Sequence, residues 1–264
     1  MNSRIRFKSL SSGSAGNCYL IMVGDRGILI DAGVSMRRLK TELTKEHLSL
    51  DHIEAVLVTH DHMDHIRSLG SYCKHLKKPV WMTRKLRNSM ATGWMTGEYL
   101  TGVVHILEDE DWTEIIPGLI KARYFVVPHD ATQTVGYCLD LDGYNLVIMT
   151  DIGRMTDEAI TLSRTASTVV IESNYDLDML RSGGYPLDLQ DRICGGHGHL
   201  SNAECADAIR DFIHPGLEHI FLCHLSDNNN THEAALQASR PAIEGTTIQL
   251  VALPRQTPTQ FFEL

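Results

Sequence analysis

Six consecutive residues, His60-Asp61-His62-Met63-Asp64-His65, follow directly on the apolar run Ile53-Glu54-Ala55-Val56-Leu57-Val58-Thr59. Imidazole and carboxylate are ligands that zinc, manganese and iron accept. A strand end fixes the backbone, so that ligands just beyond it can be aimed at one point. His60 and His62 fall on one side of an extended segment, and Asp64 and His65 on the next turn. The spacing provides for two neighbouring metal positions. Three more ligand-type residues close apolar runs: His129 after residues 124–128, Asp151 after 146–150 and His224 after 220–223. One histidine after a strand is ordinarily a capped or solvated residue. Three such residues downstream of a HxHxDH cluster can meet at one edge of a pair of sheets.

Strands that end together are needed to position these groups. Ile5 and Phe7 alternate with basic residues, and Ser11-Ser12-Gly13-Ser14-Ala15-Gly16-Asn17 reads as a small-residue loop. Residues 18–23 and 27–31 form a hairpin about Gly24-Asp25-Arg26-Gly27, and 35–46 has helical spacing with Ser35 as N-cap. The strand to Thr59 precedes the ligand cluster, a helix over 64–75, a short strand at 80–82 and a helix over 84–91. Loops and edge strands are expected over 93–118. Strands follow over 121–127, 134–140 and 144–150, with Asp142-Gly143 marking a turn between the last two.

Further on come a helix over 155–163, a buried strand over 168–172, and two short helices in 176–194 broken at Gly183-Gly184-Tyr185-Pro186. Ser201 and Glu204 form a capping box for a helix to residue 213. A strand over 217–223, a helix over 231–239 and a closing strand over 246–253 complete the chain. Strand-rich blocks thus adjoin helices twice over, an order that fits two sheets sandwiched between helices in one domain over 1–264.

The 264 residues are 43% apolar, ordinary for a globular protein, and no apolar stretch spans a bilayer. The N-terminus lacks an apolar signal core, and the six scattered cysteines form no CxxC pair; both suit a cytoplasmic protein with reduced thiols. The net charge of −9 is unevenly placed: residues 1–90 carry 15 Lys and Arg against 8 Asp and Glu, the remainder 9 against 25. The basic groups Arg4/Arg6/Lys8, Arg37/Arg38/Lys40, Lys74/Lys77/Lys78 and Arg84/Lys85/Arg87 read either as a nucleic-acid face or as solvated helix faces.

The ordered set Asp31, His60-x-His62-x-Asp64-His65, His129, Asp151 and His224 resembles the metallo-β-lactamase superfamily over nearly the whole chain. The resemblance implies an α/β fold, the αββα sandwich, with a binuclear site. One metal would take His60, His62 and His129; the other Asp64, His65 and His224; Asp151 would bridge them, and Asp31 would orient the ligand loop from behind. Ser11–Asn17, Thr150-Asp151-Ile152-Gly153, Glu172-Ser173-Asn174-Tyr175-Asp176 and Gly198-His199-Leu200-Ser201-Asn202 are similar to the YycJ/WalJ-type proteins, 5′-to-3′ DNA exonucleases. Tyr175 stands where histidine is common in that group, and His197 is an additional histidine before His199. The interval from Asp151 to His224 leaves room only for a short cap around residues 173–200.

Two divalent ions, zinc, manganese or iron, can hold a hydroxide that attacks phosphorus in line. In that scheme Asp64 orients the water, and His199, on a Gly-flanked loop before a helix start, protonates the leaving oxygen. Ser11, Ser12, Ser14, Asn17, Asn174, Ser201 and Asn202 are candidate substrate contacts. Two function classes follow: a hydrolase, either a DNA exonuclease or a hydrolase of small phosphodiesters or other esters, and a metal-bearing regulator without catalysis. The complete ligand set favours the hydrolase.

Overall fold

The strand pattern of the first 107 residues builds one sheet, seen in a computed structural model that describes residues 4–91, 97–108 and 111–264. β1 (Ile5–Gly13), β2 (Gly16–Val23) and β3 (Arg26–Ile30) run antiparallel, and β4 (Ile53–Leu57), β5 (Val80–Thr83) and β6 (Val104–Leu107) continue parallel to β3. The crossovers carry α1 (Met36–Lys45), α2 (Met63–Ile66), α3 (Leu69–Leu76), α4 (Arg84–Ala91) and α5 (Gly97–Leu100). Ser35 caps α1 as its sequence position predicts, its hydroxyl accepting from the Arg38 amide at 3.2 Å.

The second sheet contains β7 (Thr113–Ile116), β8 (Ile120–Val127), β9 (Thr134–Leu141), β10 (Tyr144–Met149), β11 (Thr168–Glu172), β12 (His219–Cys223) and β13 (Gln249–Ala252), with β10 to β13 parallel. Its helices are α6 (Asp157–Ser163), α7 (Leu177–Ser182), α8 (Leu187–Cys194), α9 (Asn202–Phe212) and α10 (His232–Ser239). β14 (Phe262–Glu263) returns to the first sheet and pairs with β1 at its edge.

The sheets face each other through Phe7, Tyr19, Ile21, Ile30 and Leu57 on one side and Tyr137, Leu139, Ile148 and Phe221 on the other, all buried. Phe7 meets Phe221 with ring centroids 4.8 Å apart. The opposite face of the first sheet packs Leu20, Leu29 and Val56 on Leu39, Leu69 and Leu86 of its helices; that of the second packs Val147, Val169 and Ile220 on Ile209 and Phe212. Three apolar layers between two sheets and two helix layers make the expected αββα sandwich. Each large apolar side chain buried there contributes about 1.5–3 kcal/mol. Among the described residues no helix is long and apolar enough to cross a membrane.

Four local expectations are corrected. Residues 11–17 are not a loop: β1 runs to Gly13 and β2 starts at Gly16, leaving a turn at Ser14-Ala15, because Ser11 pairs with Cys18 and Ser12 with Asn17 across the hairpin. The helix expected over 64–75 is two helices. The break at Arg67-Ser68 docks against the segment after β3, with Ala32 N–H bonded to His65 O at 2.7 Å and Ser68 N–H to Ala32 O at 3.0 Å. β13 does not close the fold, since β14 follows it. Residues 93–118 hold α5, β6 and β7 within their described part, the two strands at sheet edges as expected; residues 92–96 and 109–110 lie outside the described residues.

Candidate metal centre

β3, β4, β8, β10, β11 and β12 all run the same way within their sheets, so their C-terminal ends lie along one edge of the sandwich. In α/β proteins that edge is where ligands bind. Asp31 follows β3, His60 lies three residues past β4, His129 follows β8, Asp151 follows β10, Glu172 ends β11 and His224 follows β12. Asp31, Asp151 and His224 adopt left-handed backbone angles, φ of 64°, 55° and 53°. Such a conformation costs a non-glycine residue of order 1–3 kcal/mol and concentrates at functional sites. Here it turns the chain sharply as each strand ends.

The histidines converge. Ring centroids lie 4.0 Å apart for His60 and His65, 4.8 Å for His60 and His62, 4.9 Å for His62 and His129, and 6.0 Å for His65 and His224. In three groups of this set, His60/His62/His129, His60/His65/Asp151 and Asp64/His65/His224, one donor atom from each residue lies within 4.8 Å of the others. The oxygens of Asp151 reach His65 Nε2 at 3.0 Å and His129 Nε2 at 3.7 Å, so this carboxylate stands between the groups.

Each imidazole is held by the nitrogen that does not face the centre. Nδ1 of His60 bonds Thr59 Oγ1 at 3.0 Å, that of His65 donates to Asp31 at 2.6 Å, that of His129 donates to Gly198 O at 2.7 Å, and that of His224 donates to Glu172 at 2.9 Å. His62 differs: its Nε2 bonds Asp130 O at 3.3 Å and its Nδ1 lies 3.3 Å from His129 Nε2. Partners of this kind fix tautomer and ring orientation in metal sites. Asp31 is wholly buried and also accepts from the Thr59 amide and hydroxyl, both at 2.8 Å, which ties β3 to the ligand loop. Nε2 of both His60 and His224 is buried with no hydrogen-bond partner. A buried imidazole lone pair left unpaired is costly, and a divalent cation answers that need. The donor set therefore fits a metal.

The electrostatics couple these imidazoles and carboxylates. Burial opposes ionisation of Asp151, but His224 and His65 outweigh it and hold the carboxyl well below the usual range. Burial also disfavours charge on His65; Asp31 and Asp151 outweigh that and raise it to about 10. His60, with burial and His65 both against a proton, is pushed well down.

Glu172 is the residue whose role the sequence did not reveal. It is wholly buried at the end of β11. One oxygen accepts from His199 Nδ1 at 2.8 Å and His224 Nδ1 at 2.9 Å, the other from the amides of Ile152 at 2.8 Å and Leu200 at 3.1 Å. Its sequence signals are an acid closing an apolar strand and its place at the head of the Glu172-Ser173-Asn174 motif, neither of which assigns it a partner. Through Glu172, His199 stands beside the cluster, its ring 5.3 Å from His224 and 5.2 Å from His129. Burial works against a proton on His199, but Glu172 outweighs it and raises the pKa. The His199 loop is pinned at Gly153, where a Cβ would sit 2.4 Å from Gly196 O.

A cleft of about 300 Å³ opens over Asp64, Asp151, His199 and His224. Ser14 and Asn174 line it; Ser11, Ser12, Asn17, Ser201 and Asn202 do not. Ser11 Oγ donates to Arg255 O at 2.9 Å, and Ser12 Oγ accepts from the His224 amide at 2.9 Å. Ser201 caps α9, and Asn202 accepts from Ser173 Oγ at 2.6 Å. These side chains build the frame because strand pairing and helix capping turn them inward. Asn17 is buried behind Asp64 and His65, donating to Asp64 at 3.1 Å, with its amide nitrogen 2.8 Å from His65 Nε2. α8, within the region expected as a cap, carries Leu189, Arg192 and Ile193 to the cleft wall, with Tyr185 in the link from α7. None of the basic groups of residues 1–90 lines the cleft. Lys8 is buried against Glu42 and Glu46, Arg4 pairs with Glu263, and Arg84 pairs with Glu108.

Comparison with known proteins agrees with this geometry. The family model described as the beta-lactamase superfamily domain matches residues 26–224. The exodeoxyribonuclease YycJ of Bacillus anthracis is 32% identical over 240 residues, 91% of this chain and 89% of that one. The exodeoxyribonuclease WalJ of Streptococcus pneumoniae is 30% identical over 230 residues, 87% of this chain and 85% of that one. The crystal structure of Zn²⁺-bound PqqB from Methylobacterium extorquens has the same fold, with a TM-score of 0.71 at 17% identity, covering 97% of this chain and 99% of that one. With its αββα sandwich, its histidine and carboxylate cluster at the strand ends and these relatives, the chain belongs to the β-lactamase superfamily, in its metallo-β-lactamase fold.

Proposed function

We propose that this chain is a metal-dependent DNA exonuclease that hydrolyses phosphodiester bonds from a strand end in the 5′-to-3′ direction. The observation that carries the reading is the convergence of His60, His62, Asp64, His65, His129, Asp151 and His224 on one point beneath an open cleft. The similarity to two exodeoxyribonucleases over about nine-tenths of the chain supports DNA as substrate. His60, His62 and His129 would hold one divalent cation and Asp64, His65 and His224 a second, with Asp151 shared. Ligands without thiolate suit zinc, manganese or iron. Bound there, such cations would lower the pKa of a water and accept negative charge on the phosphoryl group.

The protein's own groups do the rest. Asp64, held by Asn17, orients the attacking water. His199, whose pKa Glu172 raises, stands at the cleft wall to protonate the leaving oxygen. Ser14 and Asn174 face the cleft as contacts for substrate oxygens. Residues 173–200 act as a short cap on one domain that spans the chain. The free and mostly buried thiols support a reducing compartment, the cytoplasm.

The test is degradation of end-labelled linear DNA against the same sequence as a circle, with Mn²⁺ or Zn²⁺ added. Loss of the linear strand from its 5′ end with the circle intact is expected. Equal cleavage of both removes the exonuclease reading. Hydrolysis of small diesters with no action on DNA assigns the cleft to small phosphodiesters instead.

A further inference from the structure

The cleft has two unlike walls. Its floor is histidine and carboxylate, but the wall furnished by the cap presents an apolar stretch, Tyr185, Leu189 and Ile193, all half-buried, with the Arg192 side chain beside it. A site that needed only to grip a phosphate would gain nothing from an apolar wall facing it. A nucleotide has the matching two-sided character, with a charged phosphate at one end and a flat apolar-faced base at the other. We infer that the cap holds the base of the terminal nucleotide against Tyr185, Leu189 and Ile193 while its phosphate lies over the histidine and carboxylate floor. The inference rests on the exonuclease reading and adds a base-binding subsite to it.

The cap is built as a fixed wall. Arg181 of α7 donates to Gln190 and Asp191 of α8, at 3.3 and 3.1 Å, which locks the two short helices together. Buried Gln190 donates to Tyr185 O at 2.9 Å, and the Tyr185 hydroxyl accepts from Asn228 at 2.9 Å, so the ring is held from both ends. On the far side Arg192 pairs with Asp130, which lies 3.3 Å from His129. The cap is thereby braced on the loop after β12 and on the loop after β8, and it spans the cleft between them. A volume of about 300 Å³ is at the lower end of small-ligand pockets, the scale of a single nucleotide. Contact between a base and an aromatic ring is tolerant of sequence, because every base has a π face.

The experiment uses the full chain loaded with Mn²⁺ and two linear single strands of one sequence. One has a normal 5′-terminal nucleotide; in the other the terminal sugar carries no base. The wild type is expected to release the first nucleotide from the normal strand about five- to a hundredfold faster in kcat/KM. In Tyr185→Ala and, separately, Leu189→Ser that ratio falls toward one. Circular dichroism confirms that each variant is folded, and the wild-type ratio stands as a test without either. Equal rates on the two strands by the wild type overturn the subsite and leave the exonuclease reading intact. Variants that keep the wild-type ratio overturn its placement on the cap. No cleavage of either strand by the wild type overturns the exonuclease reading and the subsite with it.

Discussion

Replacing Glu172 by glutamine changes one atom and removes one charge, and its consequences can be worked from four hydrogen bonds. Glu172 accepts from two imidazole N–H groups with one oxygen and from two amide N–H groups with the other. Glutamine has one acceptor oxygen and one donor nitrogen. If its amide nitrogen faces the amides of Ile152 and Leu200, two buried backbone donors lose their acceptor. Each unsatisfied group costs about 1–3 kcal/mol, so the apo fold loses roughly 2–6 kcal/mol. If the nitrogen instead faces the imidazoles, the backbone stays satisfied but His199 and His224 must accept at Nδ1. The proton then moves to Nε2, and His224 loses the lone pair that its buried Nε2 offers to a cation. Loss of an orienting partner of this kind typically costs about 10–100-fold in metal affinity or activity.

Either orientation must therefore show itself. The assays are thermal unfolding of the metal-free variant and metal affinity measured by competition with a chromophoric chelator. The expected result is a large drop in one of the two, with turnover reduced in both cases. A variant with wild-type stability, metal affinity and turnover would refute the orienting role of Glu172.

Three other outcomes are expected. Asp151→Ala lowers metal content below that of the wild type at every ligand group it touches; elemental analysis that returns the wild-type content would sink its bridging position. His199→Ala lowers turnover on DNA about a hundredfold to ten-thousandfold but spares a nitrophenyl phosphodiester, whose leaving group needs no proton; equal loss on both substrates, or loss of bound metal, defeats the general-acid role. Lys8→Met removes the buried ammonium that lies 3.2 Å from Glu42 and 2.6 Å from Glu46; Glu42 keeps Lys45 at 2.7 Å, while Glu46 loses its ion pair. Breaking such a pair costs about 3–5 kcal/mol, and Tm should fall by roughly 10 °C; an unchanged Tm in calorimetry would show that Glu46 finds another partner.

The sequence by itself nominated the candidate ligands and determined most of the elements. His60, His62, Asp64 and His65 are local neighbours, and His129, Asp151 and His224 each follow an apolar strand, so residue type and position in the chain sufficed to nominate them. Caps at Ser35 and Ser201 were equally legible, because a helix cap is satisfied within four residues of itself. Tertiary structure alone decided what lies between distant segments. That β11 ends beside β10 and β12 is what places Glu172 between His199 and His224, residues 27 and 52 positions away. Pairing of β1 with β2 turned Ser11, Ser12 and Asn17 from supposed substrate contacts on a loop into buried frame, since hairpin register, not composition, sets where a side chain points. Part of the basic charge counted over residues 1–90 is taken up by acids for the same reason: charge counted along a chain does not say which acids will stand opposite. Lys8 meets its two partners across 34 and 38 positions, and Arg192 meets Asp130 across 62. Local chemistry is written in the sequence, while long-range pairing depends on which strands lie side by side.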